Sequence, residues 1–201
     1  MIAVVTVLSA GAACLASVAG TRAGDADFDG LTAAINAQET NIVNKVTVSE
    51  HYRAYTAYRR YLDLGNLLHD DAATAAPDGA AALNRQKREA WGMAMGLQYT
   101  FFPPRYLNPD GAYNTQRELG EAWAEAAQQK DLNPETHFGR ASTLRTKSIA
   151  LTGVLIVFAV AFWLFTLAEV TDNWLKYLFA AGGILFTLAS VAAVLLLEAA
   201  R

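Results

Sequence analysis

IALTGVLIVFAVAFWLFTLA, residues 149–168, and YLFAAGGILFTLASVAAVLLL, residues 177–197, decide how this chain is read. Neither contains an Asp, Glu, Lys or Arg. A helix rises about 1.5 Å per residue, so roughly 20 residues cross the ~30 Å hydrocarbon core of a bilayer. Both stretches meet that length with bulky apolar side chains. Only residues 169–176 separate them, enough for a tight turn, so an antiparallel pair of membrane helices is predicted. Trp163, Trp174 and Tyr177 suit an interfacial aromatic belt, and Lys176 can extend its ammonium to the headgroups. Burying two such helices in a water-soluble core would take far more surrounding protein than 201 residues supply.

A third uncharged run, IAVVTVLSAGAACLASVAG at residues 2–20, is richer in Ala, Ser and Gly. A secretory signal would open on a basic residue, and no Lys or Arg precedes this run. It is also long enough to span, so a retained first span is expected. Ala12, Ala16 and Gly20 fall four residues apart, as do Ser9, Ala13 and Ser17. Small residues at that spacing let helix backbones approach closely in lipid. Gly182, Ala189 and Ala193 mark a similar face on the last run. These small residues are the expected helix-packing positions. Cys14, the only cysteine, lies in the first run and cannot form an internal disulfide.

The charge sits elsewhere. Residues 21–148 carry 14 of the 16 basic and 16 of the 19 acidic side chains. The block is therefore close to neutral and offers no electrostatic footprint for nucleic acid. The predicted fold is an all-α integral membrane protein with transmembrane helices at 2–20, 149–168 and 177–197. A helical polar domain, 21–148, lies between the first two. Arg22, Arg140, Arg145, Lys147 and Arg201 flank the spans on the side of this domain. Glu169, Asp172 and Lys176 occupy the other side. The excess of positive charge points the polar domain to the cytoplasm.

Within that domain, Pro77-Asp78-Gly79 reads as a turn and FFPPRYLNPDG, residues 101–111, as a loop. Asn133-Pro134-Glu135 reads as a helix start, and the helix should run on into the second span. Helices are expected at about 28–73, 80–99 and 114–130, with no strands. At 100° per residue, Phe28, Leu31, Ile35, Ile42 and Val46 share one narrow arc. Val48, Tyr52, Tyr55, Tyr58 and Leu62 lie largely opposite. Such a helix meets different partners along its length, a neighbouring subunit for the near half or a single bundle that buries both faces, or is broken near 47–51. Ile35 and Ile42 are candidate subunit contacts.

Candidate chemical sites are thin. Asp25-Ala26-Asp27-Phe28-Asp29-Gly30 resembles the opening of an EF-hand loop, but Asn36 stands where a bidentate Glu is required. An acidic helix start accounts for it better. His69-Asp70-Asp71, Glu50-His51 and Glu135-Thr136-His137 lack the partner three or four residues away that helical metal sites use. No nucleophile elbow, phosphate loop or Cys-x-x-Cys occurs. Tyr52, Tyr55, Tyr58 and Tyr61 precess by about 60° per step and do not form one platform, so core and interface packing is expected. No catalytic residue, metal or cofactor is expected.

The order of parts, with SEHYRAYTAYRRY at 49–61 and PPRYLNPDG at 103–111, resembles a loose set of uncharacterised bacterial three-span membrane proteins. They carry a helical domain between spans one and two. That resemblance implies a bacterial cell-membrane location and brings no activity or functional residue. The function expected is that of a non-enzymatic membrane subunit, a scaffold or accessory component of a membrane complex or homo-oligomer. Its partners would be the lipid bilayer and other membrane-protein subunits or further copies of itself. The alternative is a membrane-anchored sensor or ligand-binding module using the 101–111 loop. A charged conduction pathway is not expected, because no span contains an ionisable residue.

Overall fold

The computed structural model describes residues 1–199, so the flanking charge of Arg201 lies outside the described residues. The chain is all-helical, with no strand among the described residues. Five α-helices follow in order: α1 Ile2–Thr74, α2 Pro77–Thr100, α3 Thr115–Gln129, α4 Pro134–Val170 and α5 Leu175–Ala199. A single 3-10 turn, Pro104–Tyr106, interrupts the connection from α2 to α3. Three of the helices, α1, α4 and α5, are long and apolar enough to cross a membrane.

Helix α1 is continuous through residues 47–51, so of the two expected possibilities the break does not occur. On its near arc Ile35, Ile42 and Val46 are more than half exposed, whereas Val48 on the other side is buried. Pro77-Asp78-Gly79 also departs from the expected turn. The reversal falls at Ala75-Ala76, and Pro77 is the first residue of α2 with Asp78 in its first turn. Proline's fixed φ suits the first helical position, where its missing N–H costs nothing, and a carboxylate there opposes the helix dipole. Asn133 and Pro134 open α4, which runs without interruption through the apolar stretch to Val170.

Contacts divide the chain into two compact units. The first comprises residues 1–34 and the chain from Asn133 onward. Its core gathers Val5 and Ala12 of α1 with Val154, Phe158 and Phe165 of α4, and Val191 and Val194 of α5 pack against them. Small residues set the approach. A Cβ on Gly183 would lie 2.9 Å from the Phe165 ring, so only glycine lets α5 come so near α4. Likewise a Cβ on Gly30 would sit 2.7 Å from Phe138 Cε1. The outward faces stay apolar: Ile156, Leu188 and Leu196 are 65%, 64% and 71% exposed.

The second unit is Ile35–Leu132. Here α2 crosses α1 with Trp91 against Gly65, where an added Cβ would overlap the indole Cδ1 and Nε1. Ala90 and Ala94 line the buried face of α2. The remaining core is aromatic and is built around the segment joining α2 to α3.

Candidate functional site

Asn108-Pro109-Asp110-Gly111 holds the residue preferences of a type I turn, with proline second and glycine last. The Gly111 N–H donates to the Asn108 carbonyl at 2.9 Å, and Gly111 takes φ +80°, open to glycine at little cost. Asn108 N–H then donates to the Ala112 carbonyl at 2.8 Å, and Asn114 N–H to the Tyr106 carbonyl at 2.8 Å. The segment thus closes on itself as a small hairpin with one bridge, Leu107 to Tyr113. The Tyr55 hydroxyl fastens it to α1 by donating to the Gly111 carbonyl at 2.8 Å. Asn114 caps α3, its side chain accepting from the Arg117 N–H at 2.9 Å.

This closure inserts Phe102, Tyr106 and Tyr113 beside Tyr55 and Tyr58 of α1. Tyr55 stacks on Tyr113 at 5.5 Å between ring centroids, and Phe102 meets both edge-on, at 5.9 and 5.7 Å. Edge-to-face pairs at such distances add to area burial by about 0.5–1.5 kcal/mol each. Into this cluster α3 projects Glu118, which is only 4% exposed. One carboxylate oxygen accepts from the Tyr113 hydroxyl at 2.8 Å, and the other faces Nδ1 of His51 in direct hydrogen-bonding contact. A buried carboxylate requires such partners, since leaving either oxygen without one costs about 1–3 kcal/mol or more.

Burial raises the Tyr113 hydroxyl far above the ordinary phenol value, and the bond to Glu118 and its charge push in the same direction. Tyr106 is raised as well, chiefly by burial. On the open side, the Arg105 guanidinium lies 4.8 Å over the Tyr106 ring and donates to its hydroxyl at 2.6 Å. Arg117, donating to Glu121 at 2.9 Å, holds that carboxyl below its usual range. The His51–Glu118–Tyr113 chain therefore joins α1, the hairpin and α3. Both carboxylate oxygens are engaged inside the chain, and the surrounding rings fill the space next to them. Chemically the arrangement can lock three elements together.

Glu118, Tyr113 and Phe102 were not singled out by the sequence. One signal was present: on α3, Glu118 lies on the same side as Thr115, Leu119 and Ala122, the half-buried face of that helix. A carboxylate on such a face needs a partner.

The predicted packing residues fall in several settings. Ala12 and Ala16 are buried inside the first unit, and the Ser148 hydroxyl donates to the Ala16 carbonyl at 2.9 Å. A Cβ on Gly20 would meet Ser148 Oγ at 3.4 Å, and one on Gly182 would meet Leu164 at 3.4 Å. Ala193 packs against the core of this unit, while Ala189 is exposed. Ile35 and Ile42 are 65% and 54% exposed. Asp25 to Gly30 is plain α-helix, in which Asp27 pairs with Arg145. Among the described residues, no three His, Cys, Asp or Glu side chains are gathered as metal ligands. No family model, curated protein or solved structure matches the chain.

Proposed function

We propose that this chain is a multi-pass membrane subunit that acts through protein contacts, as a scaffold or accessory part of a membrane complex or homo-oligomer. The observation that carries the reading is the exposure of large apolar side chains on α1 beyond its first, uncharged stretch. In the second unit Ile35, Ile42, Val43 and Val46 are each more than half exposed, and in the first unit so are Phe28 and Leu31. Those α1 residues lie among charged neighbours, outside any stretch suited to hydrocarbon, where contiguous apolar surface marks a site of association. Membrane insertion is supported by the outward apolar faces of α1, α4 and α5. The exposure of Trp163, Trp174 and Tyr177, each about 70% or more, supports their role as interfacial rings. The basic residues beside the apolar stretches favour a cytoplasmic polar unit.

The test has two parts. Single cysteines across 150–167 and 178–196 should resist a water-soluble thiol reagent in native membranes, whereas free labelling at Val157 and Leu188 rejects insertion. Native mass spectrometry of the detergent-extracted protein should show a complex larger than one chain. A lone monomer with no co-purifying chain rejects the scaffold role.

A further inference from the structure

We infer that the first unit carries a binding site for one anionic phospholipid, in a crevice where α1, α4 and α5 meet at the end bearing Arg22, Lys147 and Glu198. The inference rests on the membrane reading above. The crevice holds about 540 Å³ and is lined by Leu15, Val18 and Arg22 of α1, Leu144 and Lys147 of α4, and Glu198 of α5. Leu15, Val18 and Arg22 recur at three and four residues, so they share one face of α1. Leu15 and Val18 belong to the uncharged stretch and are 38% and 41% exposed, which leaves an apolar wall open at hydrocarbon depth. Arg22 stands two residues past the end of that stretch, at headgroup depth. The bond from Ser148 to the Ala16 carbonyl fixes the level of α4, which brings Lys147 to the same border.

Charge selects the ligand. Lys147 is paired with Glu198 at 2.8 Å, whereas among the described residues Arg22 has no hydrogen bond or ion pair. The crevice therefore presents the Arg22 guanidinium beside the Lys147–Glu198 ion pair. A phosphodiester headgroup carries the negative charge that Arg22 lacks among the described residues. Guanidinium binds phosphate oxygens through two parallel hydrogen bonds, and basic pockets between membrane helices take anionic headgroups in this way. The acyl chain follows Leu15 and Val18 into the bilayer. A free phosphate ion would use the arginine and leave that apolar wall bare, so the lipid is the occupant.

The full chain in detergent, mixed with equal amounts of phosphatidylglycerol and phosphatidylcholine of the same acyl chains, tests this by native mass spectrometry. One phosphatidylglycerol per chain should be retained in preference to phosphatidylcholine by on the order of fivefold or more. Arg22→Gln should remove most of that preference, Arg22→Lys should keep part of it, and Arg140→Gln, at an exposed residue outside the crevice, should leave it unchanged. Equal retention of the two lipids overturns the site, as does an Arg22→Gln variant that behaves like the parent. Displacement of the lipid by inorganic phosphate at equal concentration also overturns it, in favour of a small-anion site. A chain that stays in solution without detergent fails the membrane reading instead, a result visible before any lipid is added.

Discussion

The buried carboxylate of Glu118 accepts a 2.8 Å hydrogen bond from the Tyr113 hydroxyl, five residues earlier in the chain. Because its second oxygen faces His51 of α1, 67 residues away, this one side chain ties a local turn to a distant helix. Glu118→Ala should strand both the Tyr113 hydroxyl and the His51 ring nitrogen. The loss expected is about 1–3 kcal/mol per buried group left without a partner, the lower end applying to the partly exposed histidine. Hydrogen exchange of the detergent-solubilised chain should show faster exchange at 101–118 in the variant, with α4 and α5 unchanged. Parent-like protection at 101–118 would remove the locking role.

Alkaline pH should loosen the same cluster. Tyr113 is held neutral in the folded chain well above the ordinary phenol value of about 10, by burial first and then by Glu118. In the unfolded chain it ionises near that ordinary value, so above it the folded state binds the extra proton. Stability then falls as pH rises. The contribution is complete below about pH 10 and is lost progressively above it. Thermal unfolding followed against pH should be flat toward neutrality and decline past that point. Tyr113→Phe should reduce the slope without abolishing it, because burial raises Tyr106 too. A slope identical in parent and variant would place the effect elsewhere.

What was legible in the sequence was whatever depends on short spacing. The two uncharged stretches, the tight turn between them and the start of α4 at Asn133-Pro134 all follow from local chemistry. So do α2 and α3, expected at 80–99 and 114–130 and observed at Pro77–Thr100 and Thr115–Gln129. Pro77-Asp78-Gly79 misled because proline and aspartate suit a turn and a helix start equally. The extended backbone of Ala76, φ −61° and ψ 152°, resolves it as a start. The Glu118 network was out of reach because its partner on α1 is fixed by tertiary closure. Spacing also identified small residues on α1 without saying which way they face. Ala12 and Ala16 turn out to meet helices of the same chain.

The crossing of α1 and α2 depends on Gly65. An added Cβ would overlap the indole of Trp91, so Gly65→Ala must displace that ring at an expected cost of about 1–3 kcal/mol. Alanine's better helix propensity returns up to about 1 kcal/mol, leaving a net loss. In a Trp91→Ala background the obstacle is gone and the same change should stabilise, by about 0.5–1 kcal/mol. Thermal melts of the four proteins give the sign. If Gly65→Ala stabilises in both backgrounds, Trp91 does not pack on Gly65.

Contacts within the chain and contacts between chains should separate cleanly at Ala16 and Ile42. Ala16 is buried in the first unit, with its carbonyl taken by Ser148. A leucine there has no free space at this buried position, an overpacking cost of about 1–3 kcal/mol felt by a single chain. Ile42 is 54% exposed on α1 and contributes little to its own unit. Aspartate there should leave helix content and melting nearly unchanged, since surface substitutions usually fall within about 0.5 kcal/mol. Its effect should instead appear in assembly, where a charge facing an apolar partner surface has no way to keep its hydration. Circular dichroism melts and native mass spectrometry of Ala16→Leu and Ile42→Asp, beside the parent, read the two effects independently. The expected pattern is lower stability for Ala16→Leu and lost assembly at normal stability for Ile42→Asp. Should Ile42→Asp assemble as the parent does, the exposed face of α1 is not the contact surface, and the scaffold reading loses the observation that carries it.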